Sequence, residues 1–117
     1  MMTLSPGVRV VVAAKPVDFR KGMDGLTALV EKSLSANPFV GDLYVFRSRR
    51  ADRIKILFWD GSGLCLFAKR LETSQFQWPS IKEGVVRLTA VQLAMLLEGL
   101  DWSRVTPIRT KAPVRAF

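Results

Sequence analysis

Histidine is absent from this 117-residue chain, and with it the side chain that most often serves as general base or metal ligand near neutral pH. Histidine-based triads and zinc-hydrolase sites are thereby excluded. Cysteine occurs once, as Cys65, so no intramolecular disulfide can form; within the apolar run Leu64, Cys65, Leu66, Phe67 it reads as a small hydrophobe. No apolar stretch reaches the roughly 18 residues that would span a bilayer. Met1–Gly7 also lacks the charged start and long apolar core of a secretory signal, which predicts a cytoplasmic protein with no membrane partner. A glycine-rich phosphate loop ending in Lys and Ser or Thr is missing, and Gly61, Ser62, Gly63 suits a strand turn better than a nucleophile elbow. The acids Asp18, Asp24, Asp42, Asp52, Asp60 and Asp101 are scattered singly, whereas two-metal phosphoryl chemistry needs clustered carboxylates. The reading is a protein that is not an enzyme and uses no cofactor.

What the chain does have is apolar mass and positive charge. Hydrophobic residues make up 49% and charged residues 24%, a balance that folds, in contrast to the charge-dominated make-up of disorder. The length suits one domain able to bury a core without disulfides or metals. Eighteen basic residues against ten acidic ones give a formal charge of +8, which attracts polyanions such as nucleic acid.

Hydrophobic periodicity orders the elements. Val8 to Ala14 is β-branched and apolar, a strand. Met23, Leu26, Val30 and Leu34 then recur at spacings of three and four, one face of a helix that Asn37 and Pro38 should end. From Asp42 the period changes to two: Leu43 to Phe46 and Arg53 to Trp59 read as strands joined by a basic turn, with Ile54, Ile56 and Phe58 forming the core face of the second. Asp60 to Gly63 forms a turn into a third strand, Leu64 to Leu71, and Phe76 to Trp78 and Val85 to Leu88 read as two further short strands. Thr89 with Gln92 has the form of a capping box opening a nearly all-apolar helix, Ala90 to Leu100, whose Leu96 and Leu97 should be buried. The predicted class is α+β: a mainly antiparallel meander with one helix inserted early and one apolar helix near the C-terminus. Residues 1–102 form the domain, and 103–117, with Arg104, Arg109, Lys111 and Arg115 and no acid, read as a flexible basic tail.

Charge concentrates in the middle of the chain. Arg47, Arg49, Arg50, Arg53, Lys55, Lys69 and Arg70 face only Asp52 and Asp60 between positions 47 and 70. A ribbon with arginines at its turn can lie along phosphates or enter a groove, and the guanidinium fork matches phosphate or guanine. These seven are the candidate nucleic-acid-binding residues. The plainer alternative is a solvated hairpin tip, charged against edge pairing. Trp59 shares a strand face with Lys55 and is the best of the tryptophans for stacking on a base, although such residues are more often core. No second helix follows Met23 to Leu34 closely enough for a helix-turn-helix.

Three blocks carry a resemblance: Asp18 to Leu26 (DFRKGMDGL), Leu43 to Leu71 with its basic turn and the WDGSG sequence, and Leu88 to Trp102 (LTAVQLAMLLEGLDW). Occurring in this order, and with Phe76, Trp78 and Pro79 between them, they make the chain resemble the TnpB accessory proteins, second-reading-frame products of insertion-sequence family sixty-six. The resemblance implies a bacterial mobile element whose separate, larger transposase performs the strand chemistry while this protein assists. DNA and that transposase are the implied partners. A protein-binding adaptor that docks on the transposase without touching DNA is the second reading, and monomer and homo-oligomer both stay open. Two positions depart from the family pattern: Ala51 stands where glycine is expected in the basic turn, and Ser48 where glycine or asparagine is common. A turn that needs positive φ at 51 would be slightly strained.

Overall fold

Five strands and two helices form over residues 7–80 and 85–102, which the computed structural model describes. In chain order they are β1 (Val10–Ala13), α1 (Met23–Ser33), β2 (Leu43–Arg47), β3 (Arg53–Trp59), β4 (Leu64–Arg70), β5 (Val85–Leu88) and α2 (Ala90–Leu97). The strands make one sheet in the order β4-β3-β2-β1-β5. β2, β3 and β4 are the expected antiparallel meander, and β5 returns antiparallel to β1. The exception is β1 with β2, which run parallel in the register Val10↔Leu43 because α1 supplies the crossover that parallel neighbours require. The fold is thus α+β with a mostly antiparallel sheet.

The core face expected of β3 is present, and the structure adds a second one behind it. Ile54 and Ile56 are buried with Val10, Val12, Val45, Leu93 and Leu96 on the α2 side. Their neighbour Leu57, which points the other way, is equally buried with Tyr44, Phe46, Leu26 and Val30 on the α1 side. Strands covered on both faces are continuous apolar runs, so the period of two expected from Asp42 does not hold over Leu43 to Phe46, where all four residues are buried.

Helix α1 buries Leu26 and Val30 completely, while Met23 at its start is exposed. It ends at Ser33, earlier than Pro38 demands. Ser35 takes a left-handed φ of 49°, and the Ala36 N–H donates to Val30 O at 3.1 Å, closing the last turn by a backbone cap. For α2, the Gln92 N–H donates to Thr89 Oγ1 (3.1 Å) and the Thr89 N–H to Gln92 Oε1 (2.9 Å), the reciprocal pair that its sequence announces. Gly99, at φ 75°, turns the chain out of the helix.

Phe76 to Trp78 is not a strand. Phe76 is buried, its N–H donates to Ala51 O (2.8 Å), and the Trp78 indole N–H donates to the same carbonyl (3.1 Å). The alternation seen in the sequence is a loop anchoring itself on the β2–β3 turn. The expected basic tail, 103–117, lies outside the described residues. Among the described residues no helix is long and apolar enough to cross a membrane.

Candidate nucleic-acid interface

The β2–β3 turn is built by two backbone bonds: the Ala51 N–H donates to Ser48 O (3.1 Å) and the Ser48 N–H to Arg53 O (3.2 Å). Ala51 sits at φ 63°, the left-handed position that hairpins of this kind assign to glycine. Its side chain therefore carries the strain that the departure from the family pattern implied. Replacing Ala51 by glycine should raise stability by about 0.5–1 kcal/mol, the left-handed penalty less the extra chain entropy of glycine. Chemical denaturation measures this, and a destabilised variant would show that the Ala51 methyl contributes more by packing than it costs in strain.

Three of the seven candidate cations are free to engage a ligand. Arg49, Arg50 and Arg53 are exposed, and their guanidinium groups make no hydrogen bond or ion pair among the described residues. Their backbone is nevertheless held firmly, since Gln75 Nε2 donates to Arg50 O (2.7 Å) beside the two bonds to Ala51 O. The turn is a buttressed platform, not a free tip. Arg70 lies directly across from Arg53 in the β3–β4 register and extends the same face, with Glu72 as its partner at 3.0 Å.

The other three serve the fold. Arg47 donates through Nη2 to Ala14 O at 3.0 Å. Lys55 donates to the carbonyls of Phe19 and Lys21, both at 2.9 Å, and lies 5.0 Å from the Phe19 ring centroid, pinning the segment before α1 onto β3. Lys69 falls on the opposite face: opposite Ile54 in register, it donates to Leu97 O (2.6 Å), a cation closing the C-terminal end of α2. Trp59 sits at the far end of β3 from Arg53, edge to face with Phe39 at 5.7 Å, so the stacking candidate and the basic turn are not brought together.

Phe19 was not singled out from the sequence, yet three open depressions of about 460, 430 and 350 Å³ share it as a wall. Around them stand Arg20, Arg49, Arg50, Arg53 and Arg70. The only signal for it was the block Asp18 to Leu26, whose aromatic residue between charged neighbours carried no local chemistry of its own. Arg20 is held by Asp18 through Nε and Nη2. The side-chain bonds from Arg20, helped by its backbone N–H, hold the Asp18 carboxyl at about 2 against an ordinary 3.8. A depressed acid contributes stability above pH 3.8 that is lost as pH falls through about 2, so this contribution is intact at neutral pH. An NMR titration should place Asp18 near 2, and Arg20→Ala should move it back toward 3.8; an unmoved midpoint would assign the shift to the backbone instead.

Two further acids, Asp42 and Asp60, are engaged locally. Asp42 is buried, accepts from Nε and Nη2 of Arg9 at 3.0 and 2.8 Å, and also accepts from the Arg9 N–H, tying the start of β2 to the strand beside it. Asp60 accepts from the N–H groups of Ser62 and Gly63, which keep its carboxyl below the usual range. Among the described residues no three acids or cysteines converge as metal ligands would.

A sheet packed on both faces, with an arginine platform at one end of its central hairpin, defines a small basic α+β protein presenting an open surface. The chain belongs to the IS66 Orf2-like family: the model described as IS66 Orf2 like protein matches residues 8–107. This places it with the accessory proteins of insertion sequences. It is similar to two uncharacterized proteins of Sinorhizobium fredii (strain NBRC 101917 / NGR234). The protein y4jC is 44% identical over 115 residues, 98% of each chain. The protein y4hO is 40% identical over 102 residues, 87% of this chain and 89% of its own. No solved structure matches the chain.

Proposed function

We propose that this protein binds DNA without cleaving it and thereby assists a separate transposase of the same insertion sequence. The observation that carries the reading is that Arg49, Arg50 and Arg53 have no partner among the described residues, on a turn whose backbone is fixed by Gln75, Phe76 and Trp78. Three guanidinium groups around one depression with the single acid Asp52, which accepts from Ser48, leave a local excess of positive charge that a phosphate backbone would neutralise. Arg70 and the rim around Phe19 enlarge the face, so that backbone phosphates are contacted along an edge and no base need enter a pocket.

Salt-titrated binding of the full chain to element-end duplex DNA tests this. Neutralising three to five phosphates should give a slope of log affinity against log salt of about −2.7 to −4.5. A slope near zero, or no binding at low salt, would overturn the DNA reading. The adaptor reading is supported by Phe39 and Val40, exposed apolar residues beside Trp59 at the other end of the hairpin. A protein that ignores DNA alone yet is captured by the purified transposase would favour it.

A further inference from the structure

β4 is the outermost strand on one side of the sheet and pairs only with β3 among the described residues. Its two ends fix which backbone groups point inward. The Asp60 N–H donates to Gly63 O (3.0 Å) at one end, and the Leu71 N–H donates to Asp52 O (2.8 Å) at the other. With the register unbroken from Trp59↔Leu64 to Arg53↔Arg70, the odd-numbered residues of β4 bond to β3. In an antiparallel ladder the alternate residues turn both N–H and C=O away. These are Leu64, Leu66, Ala68 and Arg70, and none has another backbone partner among the described residues.

Proteins guard such edges with charge, proline, bulges or brevity. The opposite edge, β5, is four residues long and carries Arg87. β4 is seven residues long, contains no proline, pairs one-to-one throughout, and carries no charge from Leu64 to Phe67. Those four side chains are only half-buried.

We propose that β4 pairs antiparallel with β4 of a second copy about a two-fold axis at Leu66, joining two five-stranded sheets into one. The inference rests on this edge and is independent of the DNA-binding reading. The strand is self-complementary in that register. Leu66 meets Leu66 and Leu64 meets Ala68 on the α1 side, while Cys65 meets Phe67 on the α2 side, so every apolar residue of the run gains an apolar partner. Charge selects the same register. With Leu66 on the axis, the two Arg70 side chains lie eight residues apart, about 27 Å along the strands. A slip that puts Arg70 on the axis stacks like charges directly. The contact is isologous and uses both β4 edges, so assembly stops at two.

Sedimentation equilibrium of the full chain at micromolar concentrations should give a dimer. Ala68→Pro deletes an outward N–H while leaving every β3–β4 bond in place, and should give a monomer with unchanged circular dichroism. Register is read by cross-linking after Cys65→Ala. Leu66→Cys brings two Cα atoms to about 5.5 Å, within disulfide reach, and should form a covalent dimer on mild oxidation. Ala68→Cys leaves them about 14 Å apart and should not. A monomeric parent chain, a dimeric Ala68→Pro variant, or equal cross-linking at positions 66 and 68 would each overturn the proposal.

Discussion

Replacing Arg49, Arg50 and Arg53 together by alanine should weaken binding to duplex DNA several-hundred-fold at about 0.1 M salt. Each phosphate contact contributes about 0.9 to the salt slope, hence roughly tenfold in affinity at that concentration, and three contacts multiply. The slope itself should fall by about 2.7. Thermal stability should change little, because the three guanidinium groups have no partners to lose among the described residues and the turn is held by its backbone carbonyls. Lys32→Ala, an exposed cation in the last turn of α1, serves as a control and should alter the slope by less than about one. A triple variant that binds DNA with the parent's affinity and slope, yet no longer supports transposition, would make the turn a docking surface for the transposase.

The second large effect concerns α2. Leu96 is fully buried in the cluster formed with Ile54, Ile56, Phe76 and Leu93, and Leu96→Ala should lower stability by about 2–5 kcal/mol through lost burial plus the cavity left behind. Val91 on the same helix is 59% exposed, and Val91→Ala should stay within about 0.5 kcal/mol. Leu97 packs against the cluster only partly and should fall between them. Denaturant titrations of the three variants establish the order. Equal losses at 91 and 96 would mean that Val91 is covered in solution by another chain.

These two predictions differ in how far the sequence alone supports them. α2 was legible because its start is written locally, in the Thr89 and Gln92 pair, and β3 was legible because strand alternation separates Ile54 and Ile56 from Lys55. The burial of Leu57 was not, since the alternation of a single strand cannot say whether a helix covers its other face. The parallel pairing of β1 with β2 escaped for the same reason: it depends on where α1 packs. Phe76 and Trp78 mimic a strand in spacing because both of their N–H donors reach one carbonyl at Ala51. In the basic cluster, proximity in sequence suggested seven equivalent cations. Strand polarity and three backbone carbonyl networks divide them, leaving Arg47, Lys55 and Lys69 as ties within the fold. The strained turn was legible only through the resemblance, which marked Ala51 as a position for glycine.

The loop that buttresses the turn also fixes where the chain departs. The Trp102 indole N–H donates to Gln77 O, between Gln75 and Trp78, which hold the carbonyls of Arg50 and Ala51. The sequence then continues into Arg104, Arg109, Lys111 and Arg115. Trp102, the last described residue before that stretch, is therefore anchored at the same corner as the basic turn. On the DNA-binding reading, a duplex captured by the turn meets the second stretch as an intramolecular event, so that moderate contacts combine as avidity. Cutting the Trp102 tether should separate the two stretches kinetically, with dissociation accelerating more than association slows.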